Sequence, residues 1–548
     1  MREKREKRER EREKKKREAR AAGFACELRR GETRGGDMER VSRKFCGLGG
    51  GSASARARAF EFVATSRTRG ASRQHAYASR SSTGGRGGER ERERGVVFVR
   101  SLVDATRSGG QTALTPCAVV KRGKVNLFEQ SKNPIIYGGA VDRLEDGHER
   151  VGPGNPVFVS DWKNRLLGWG FFNPSSMYRV RVMEYVSSSS DFEEDLSHER
   201  ISRFLYSRIR DACEAREKLG LPSSDTDVYR LINSEGDNLS GIVVDRMGKN
   251  LVVQSSGAWV QLFKQVILKA LVEVAGGTEF IAWKTDLGIL KKEGVADIDK
   301  DFELFKVDSN ESGTVSFQNL SSSSEQGEDS FLPGDHEVVV RENSATYLVR
   351  LNMQKTGFYC DQRENRSFLR SLSKGKTCLD LCCYTGGFSI AAALGGATDV
   401  VGVDSSASAI AIAEENAKLN GVDAKFQAED ISKFMRRHIE QGKQWDVVVL
   451  DPPKLCPSAK FLKPALRKYE KLNTMAMSLV ARGGILMTCS CSGAVTRSDK
   501  FMIMLNNAAA RAGRDVKILR VSGASDCHMT SLRYPEGNYL TVITLMIM

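Results

Sequence analysis

From residue 376 onward, short apolar runs alternate with segments of helical spacing: "TCLDLCC", "SIAAALGGA", "DVVGVD", "SASAIAIAEENAKLNG", "AKFQAED", "ISKFMRRHIEQG", "WDVVVLDPP", "YEKLNTMAMSLVARGG", "ILMTCSCS". Continuous apolar runs of this length are strands covered on both faces, and the helical segments between them are the crossovers that parallel strands need. The alternation predicts an α/β fold built on a doubly wound, Rossmann-like parallel sheet. In such sheets ligands bind beyond the carboxyl ends of the strands. The residues that close each run are therefore the first candidates for function.

The chain of 548 residues is too long for that sheet alone. "PCAVVKRGKVNLFEQSKNPIIYGGAVDRLE" and "GNPVFVSDWKNRLLGWGFFNPSSMYRVRVMEY" show short β-rich runs broken by Gly, Pro and Asn, the pattern of a small β-barrel over residues 113–187. A serine-rich linker, "SSSSDFEED", follows at 187–195. Helical spacing over about 197–218, then strands through "DVYRLINSEGDNLSGIVVDRMGKNLVVQSS" and a helix through "LFKQVILKALVEVA", predict a small central α+β domain at 196–345. The polar stretch 308–334 inside it reads as a flexible surface loop. The last unit is 346–548.

The net charge of +15 is concentrated at one end: residues 1–20 carry twelve basic and six acidic side chains, and residues 21–110 account for the rest of the excess. The folded body is close to neutral, so the charge alone does not argue for nucleic acid. Residues 1–112 read as a disordered basic N-terminus. Within it, residues 38–110 are rich in Arg, Ser and Ala and poor in acids, the composition of an organelle transit peptide. The expected location is an organelle, chloroplast ahead of mitochondrion, with cytoplasm or nucleus as the alternative if the tail carries no address. No run of roughly 18 apolar residues suggests a membrane span, so the chain reads as soluble. The twelve cysteines follow neither a disulfide framework nor zinc-ligand spacing, and no metal site is expected. No interface pattern assigns an oligomeric state.

"CLDLCCYTGGFS" is a strand that ends in a glycine turn before a helix, and Asp404 closes the next strand. Gly386 and Gly387 let the backbone approach a ligand, and an acid 20 to 25 residues on holds ribose hydroxyls (about 20 in the fingerprint). The loop is not G-x-G-x-x-G, which argues against a dinucleotide pyrophosphate. An S-adenosylmethionine site needs the ribose carboxylate but no phosphate cradle and fits better. Asp380, Tyr384, Thr385 and Phe388 flank the glycines and join them as cofactor candidates, with Asp430 at the end of the third strand placed for the adenine edge. "VVVLDPPK" puts Asp451 at the tip of the fourth strand, where Pro452 and Pro453 stiffen the backbone beside the methyl acceptor and the cofactor. Exocyclic-amine methylation usually places an aromatic after such a motif; Lys454 stands there instead.

"GGILMTCSCSGAV" places Cys489 and Cys491 one residue apart at a strand's end. Carbon 5 of a pyrimidine accepts a methyl group only after a thiolate adds at carbon 6, so a cysteine at the strand tip facing the acceptor would serve. Regular alternation puts both thiols on one face. "CSG" reads as the strand's exit, with Cys491 nearer the cleft mouth and Cys489 deeper. On the residues alone, Cys491 remains open between a nucleophile and a buried structural thiol.

"QKTGFYCDQRENR" (354–366), "CCYTGGFSIAAALGGATDVVGVDSS", "WDVVVLDPPK", "GGILMTCSCSG" and "YPEGNYL" (534–540), in this order, closely resemble the bacterial large-subunit ribosomal RNA cytosine-5 methyltransferases that carry an N-terminal PUA domain. The resemblance runs from about residue 114 to the C-terminus. It implies a PUA-like RNA-binding domain at the front, S-adenosylmethionine as cofactor, ribosomal RNA as partner, and Cys491 as nucleophile with Cys489 in the core. It further implies that Asp451 contacts the target base and also borders the cofactor, that Asp404 and Asp430 hold ribose and adenine, and that Gln362 and Arg366 flank the cofactor pocket. Lys355, Pro452, Pro453 and Lys454 fall beside the substrate, and Lys355 and Thr356 share the segment that flanks the cofactor pocket. Cys456 lies too far from Asp451 to match the second cysteine of other cytosine-5 enzymes. "IIYGGA" in the PUA-like segment, the 308–334 insertion and the long N-terminus depart from the bacterial pattern, so the exact ribosomal nucleotide does not carry over. The rival readings are a guanine or adenine RNA methyltransferase on the same scaffold and a cofactor-binding ribosome-assembly factor without turnover.

Overall fold

The computed structural model describes residues 116–145, 151–187, 192–193, 195–295, 298, 300–309, 315–322, 337–352 and 357–548. The basic N-terminus with its transit-like stretch, most of the serine-rich linker, most of the 308–334 insertion, and Lys355 and Thr356 lie outside the described residues.

The first sheet comprises β1 (Cys117–Val120), β2 (Ile135–Tyr137), β3 (Val141–Glu145), β4 (Asn155–Ser160), β5 (Leu166–Phe172) and β6 (Tyr178–Tyr185), in the order β2-β6-β5-β4-β1-β3. Its neighbours are antiparallel except β1 with β4. The glycines of "LLGWGFF" are needed where β5 crosses β6 closely: a Cβ on Gly168 or Gly170 would run into the backbone carbonyl of Glu184 or Arg181.

The second sheet is formed by β7 (Val228–Asn233), β8 (Ile242–Met247), β9 (Asn250–Ser255), β10 (Phe280–Thr285), β11 (Phe302–Ser309) and β12 (Val315–Asn319), in the order β12-β11-β10-β9-β8-β7, with β9 and β10 parallel. The amphipathic helices His198–Glu217 and Lys264–Ala275 bury Leu205, Ile209, Leu268 and Leu271 in the core of this sheet. Trp169 and Phe171 of β5 enter the same core, Phe171 stacked on Trp259 at 4.7 Å. Strand β12 corrects the expectation of a loop throughout 308–334: it pairs antiparallel with β11, Phe317 opposite Val307. The period-two pattern of Val315 and Phe317, which pack against the core, is short and was hidden by its serine-rich flanks.

Hairpin β13 (Glu337–Glu342) and β14 (Ala345–Arg350) turns at Asn343 and Ser344, whose φ of 48° and 67° are those of a primed two-residue turn. A domain boundary at 345 would cut this hairpin. Its Val340, Tyr347 and Val349 share a core with Val228, Val252 and Leu304 of the second sheet and with Phe358 and Ile390 beyond.

The third sheet holds β15 (Thr377–Leu381), β16 (Asp399–Asp404), β17 (Lys425–Ala428), β18 (Trp445–Leu450), β19 (Val480–Ser490), β20 (Val516–Ser522) and β21 (Thr541–Ile547), ordered β17-β16-β15-β18-β19-β21-β20. The strands β15 to β19 are parallel and β21 runs antiparallel between β19 and β20. The chain leaves β15 toward β16 and β17, then returns to add β18 and β19 on the other side. The order reverses at β15, and there the strand exits diverge to leave a crevice.

One buried cation ties distant segments together. Arg216, 0% exposed, pairs through both terminal nitrogens with Asp237 (2.5 and 2.9 Å) and donates to the carbonyls of Arg230 (3.0 Å) and Cys527 (2.7 Å). Replacing it by methionine strands the Asp237 carboxylate and the Cys527 carbonyl. We expect Arg216→Met to cost about 3–5 kcal/mol, read as a lower denaturant midpoint at unchanged m value.

Candidate active site

The loop after β15 is wound tightly. Cys382, Tyr384 and Gly386 have φ of 65°, 51° and 82°, and the amides of Cys382 and Cys383 both donate to the Val403 carbonyl (2.8 and 3.1 Å). Left-handed geometry at two non-glycine residues costs free energy and collects at functional sites. At Gly386 a Cβ would sit 3.1 Å from Ala413 and Phe426, so the turn packs directly on its support. The loop is fixed to the next strand by Asp404, whose Oδ2 accepts from the Tyr384 amide (3.0 Å) and Oδ1 from the Ser406 amide (2.9 Å). Each carboxylate oxygen keeps a further lone pair, and Asp404 is half-buried at the strand exit. That set of acceptors fits ribose hydroxyls, which would donate to it. Asp430, exposed after β17, caps the helix Ile431–Glu440 through Oδ1 and the Lys433 amide (3.0 Å).

The other cofactor candidates lie deeper. Asp380 is 2% exposed and accepts from the Ser389 amide (3.0 Å) and hydroxyl (2.8 Å), while its Oδ1 has no protein partner. Burial pushes its carboxyl up to about 7. Thr385 is buried and its carbonyl accepts from Asn416 (3.0 Å); the Gly387 carbonyl accepts from Tyr347 (3.4 Å); Phe388 packs in the core with Leu369. Arg366 joins the hairpin to the glycine turn: its guanidinium grips Glu342 of the hairpin with two 2.6 Å bonds, lies over Phe358 at 4.8 Å, and has Nη1 3.3 Å from where a Cβ on Gly387 would stand. It braces the hairpin against the loop.

On the other side of the reversal, Asp451 follows β18 and its amide donates to the Leu381 carbonyl (3.2 Å). Gln362 donates from Nε2 to Asp451 Oδ2 at 3.0 Å. The orientation of that amide is set by Asn365, which donates to Gln362 Oε1 (2.7 Å) while its own Oδ1 accepts from Ser522 (2.7 Å). Gln362 thus positions the Asp451 carboxylate. Pro453 and Lys454 are exposed at the rim, and Pro452 is buried.

The two cysteines separate as the strand's exit suggests. Cys489 is 0% exposed within β19, opposite Val542, and burial holds its thiol well above the usual range. Cys491 lies just past the strand, half-buried, with Sγ 3.9 Å from the Pro452 carbonyl. Buried Tyr469 fixes its flanks: the Ser490 hydroxyl donates to the Tyr469 oxygen (3.1 Å), which also lies 3.3 Å from Ser492 Oγ. Cys456 is buried, with its amide donating to Ser492 Oγ (3.2 Å) and its thiol toward the Ser458 carbonyl (3.2 Å).

Sequence reasoning missed Asn365, Tyr469 and Tyr359. Tyr359 stands edge-on to Tyr384 at 5.1 Å, and burial, helped by Tyr384 and Asp361 and less by Asp451 and Cys491, raises its phenol above the usual range. No period or motif distinguishes these side chains, because their roles come from partners far along the chain. Among the described residues no cluster of potential metal ligands forms and no helix is long and apolar enough to cross a membrane.

The sequence matches the family described as S-adenosylmethionine-dependent methyltransferase over residues 333–520 and a PUA-like domain over 119–185. Ribosomal RNA large subunit methyltransferase I of Tolumonas auensis is 33% identical over 418 residues, covering 75% of this chain and 94% of that protein. The enzyme of the same name from Aeromonas hydrophila is 34% identical over 414 residues, with 75% and 94% coverage. In fold, the chain is similar to a Streptococcus mutans protein described as a SAM-dependent methyltransferase (TM-score 0.59, 17% identity, 78% of this chain and 99% of that one). A methyltransferase crystallised with S-adenosylhomocysteine gives the same values.

Asp380 yields a pH-dependent prediction. Its folded pKa of about 7 exceeds the ordinary 3.8, so the folded state keeps a proton that the unfolded state loses as pH rises between these values. Stability falls with rising pH across that window. Asp380→Asn removes the term while still accepting from Ser389. The stability of the variant relative to wild type should be greater at pH 8 than at pH 5; equal differences at both would contradict the assignment.

Proposed function

The chain belongs to the ribosomal RNA large subunit methyltransferase I family, and on that premise we propose that it methylates carbon 5 of a cytosine in large-subunit ribosomal RNA with Cys491 as nucleophile. The observation that supports this most is the contrast between the two thiols: Cys489 is sealed in the sheet, whereas Cys491 lies at the strand exit beside the Asp451–Pro452 segment. S-adenosylmethionine, when bound, supplies a methyl group as an electrophile on its sulfonium. Asp404 and Asp430 hold its ribose and adenine in this reading, over the backbone of Gly386 and Gly387.

The Cys491 thiolate adds to carbon 6 of the cytosine, and the electron pair released into the ring makes carbon 5 nucleophilic enough to take the methyl group. Loss of the carbon-5 proton and cleavage of the sulfur–carbon bond then restore aromaticity and the thiolate. Asp451, held by Gln362, contacts the base and orients it. Tyr469 fixes Ser490 and Ser492 on either side of Cys491, so the nucleophile needs little reorganisation. The PUA-like sheet and the second sheet grip structured RNA while the target base is unstacked. The transit-like composition of residues 38–110 leads us to propose an organelle with bacterial-type ribosomes as the site of action.

Bisulfite sequencing of organellar and cytosolic ribosomal RNA, from cells lacking the protein and complemented by variants, tests the reading. One cytosine should lose its mark and regain it with wild type or Cys489→Ala, but not with Cys491→Ala. Full methylation by Cys491→Ala would sink the mechanism, and an unchanged cytosine pattern would favour a guanine or adenine product. Gln362→Ala should lower kcat by about tenfold through a misplaced Asp451 while S-adenosylhomocysteine affinity stays constant; an equal fall in that affinity would return Gln362 to the cofactor pocket. A fluorescent fusion of residues 1–112 should enter a plastid or mitochondrion, and cytosolic or nuclear signal would reject the location.

A further inference from the structure

A second cavity of about 290 Å³ lies next to the crevice, between the second sheet and the loop before β21. Its walls include Asn233, Tyr359, Asp361, His528, Tyr534 and Tyr539. The segment 358–362 serves both spaces: Gln362 reaches Asp451, Tyr359 stands against Tyr384 of the cofactor loop, and Asp361 faces the other way, accepting from the Tyr539 hydroxyl at 2.6 Å. Tyr359 thus lines this cavity and also touches the loop after β15.

The chemistry of the lining selects its occupant. Arg230 is the cation among the described lining residues, and it is spent on Asp245 (2.5 Å) and Asn233 (2.8 Å), so the cavity does not select a phosphate. Three tyrosines and Phe358 offer apolar faces of the kind on which bases stack. Two buried polar atoms in its walls have no protein partner, Asp361 Oδ1 and Nε2 of His528, which is 5% exposed. Such atoms cost free energy until something hydrogen-bonds to them. The carboxylate is an acceptor for an amino group, as carboxylates are toward cytosine N4. A wider cavity, of about 440 Å³, shares Ser234, Glu235 and Tyr534 with this one and runs on to Met177 and Tyr178 at the edge of the PUA-like sheet. The two cavities therefore meet at Ser234, Glu235 and Tyr534.

We propose that the smaller cavity is a second base pocket: it receives an unstacked nucleotide that flanks the methylated one in the same RNA strand and reads an exocyclic amino group through Asp361. This rests on the chain acting on RNA. It adds a specificity determinant separate from the nucleophile and the cofactor loop, and it explains how the neighbouring nucleotide is held while the acceptor enters the crevice.

The test is a binding measurement that needs no methyl transfer. The shortest large-subunit ribosomal RNA fragment that the full chain retains is titrated with S-adenosylhomocysteine present, and each nucleotide is replaced in turn by an abasic one. Besides the acceptor, one nearby position should cost wild type about tenfold in affinity, and deleting only the amino group of that base should cost most of this. Asp361→Asn should bind intact RNA about tenfold more weakly yet lose little more on the abasic fragment, the non-additivity expected of direct contact. His528→Gln should show the same pattern, and serves if Asp361→Asn fails to bind S-adenosylhomocysteine and so to fold. Tolerance of every flanking abasic site by wild type overturns the proposal, as do variant and abasic losses that simply multiply. Failure of the cytosine-5 reading would show instead in the bisulfite pattern and in an active Cys491→Ala, with the binding profile intact.

Discussion

The reversal of strand order at β15 is the constraint from which the site follows. Parallel strands present all their carboxyl ends on one edge, and where the chain turns from one direction of growth to the other the exits part. Tyr384, Asp451 and Cys491 follow strands that end on this edge, and Asp404 is the last residue of another. Their chemistry depends on convergence of segments about a hundred residues apart, and the sheet register supplies it. Leu381 lies opposite Leu450, so the glycine turn and the Asp-Pro-Pro segment leave the sheet side by side.

Around this edge the protein spends its buried polar interactions on position. The chain Ser522 to Asn365 to Gln362 to Asp451 fixes the orientation of each amide along it, since every donor faces an acceptor. Arg366 and Glu342 form a buried bidentate pair between helix Arg363–Leu372 and the hairpin. A pair of this kind is weak evidence for stability but fixes geometry, because any alternative packing would leave a bare charge. The hairpin in turn closes a core shared with the second sheet and with Phe358 and Ile390 beyond it, so the second sheet and the crevice are held in one register.

What could be read from the sequence followed from local rules. Apolar runs without alternation announced the parallel strands, the glycine pair announced the close turn, and the acids at the ends of runs announced the strand exits at Asp404 and Asp451. The exit at "CSG" separated Cys491 from Cys489, as the burial of Cys489 now shows. Strand β12 escaped because five residues of alternation between serine-rich flanks are too few to register against a polar background. Arg366 suggested a cofactor contact by its place in a motif, but its pairing with Glu342 of the hairpin could not be read from that motif.

The sequence by itself determined the doubly wound sheet, the order of its motifs and the residue types at each strand tip, because these depend on periodicity and on neighbours within a few positions. Only the tertiary structure decided which polar groups serve the chemistry and which serve the scaffold. Asp380, Gln362 and Arg366 all looked like pocket residues. One is a buried acid on Ser389, one positions Asp451, and one braces a hairpin. A hydrogen bond has a range of about 3 Å in space and none along the chain, so a side chain's role is fixed by whichever distant segment the fold brings within that reach.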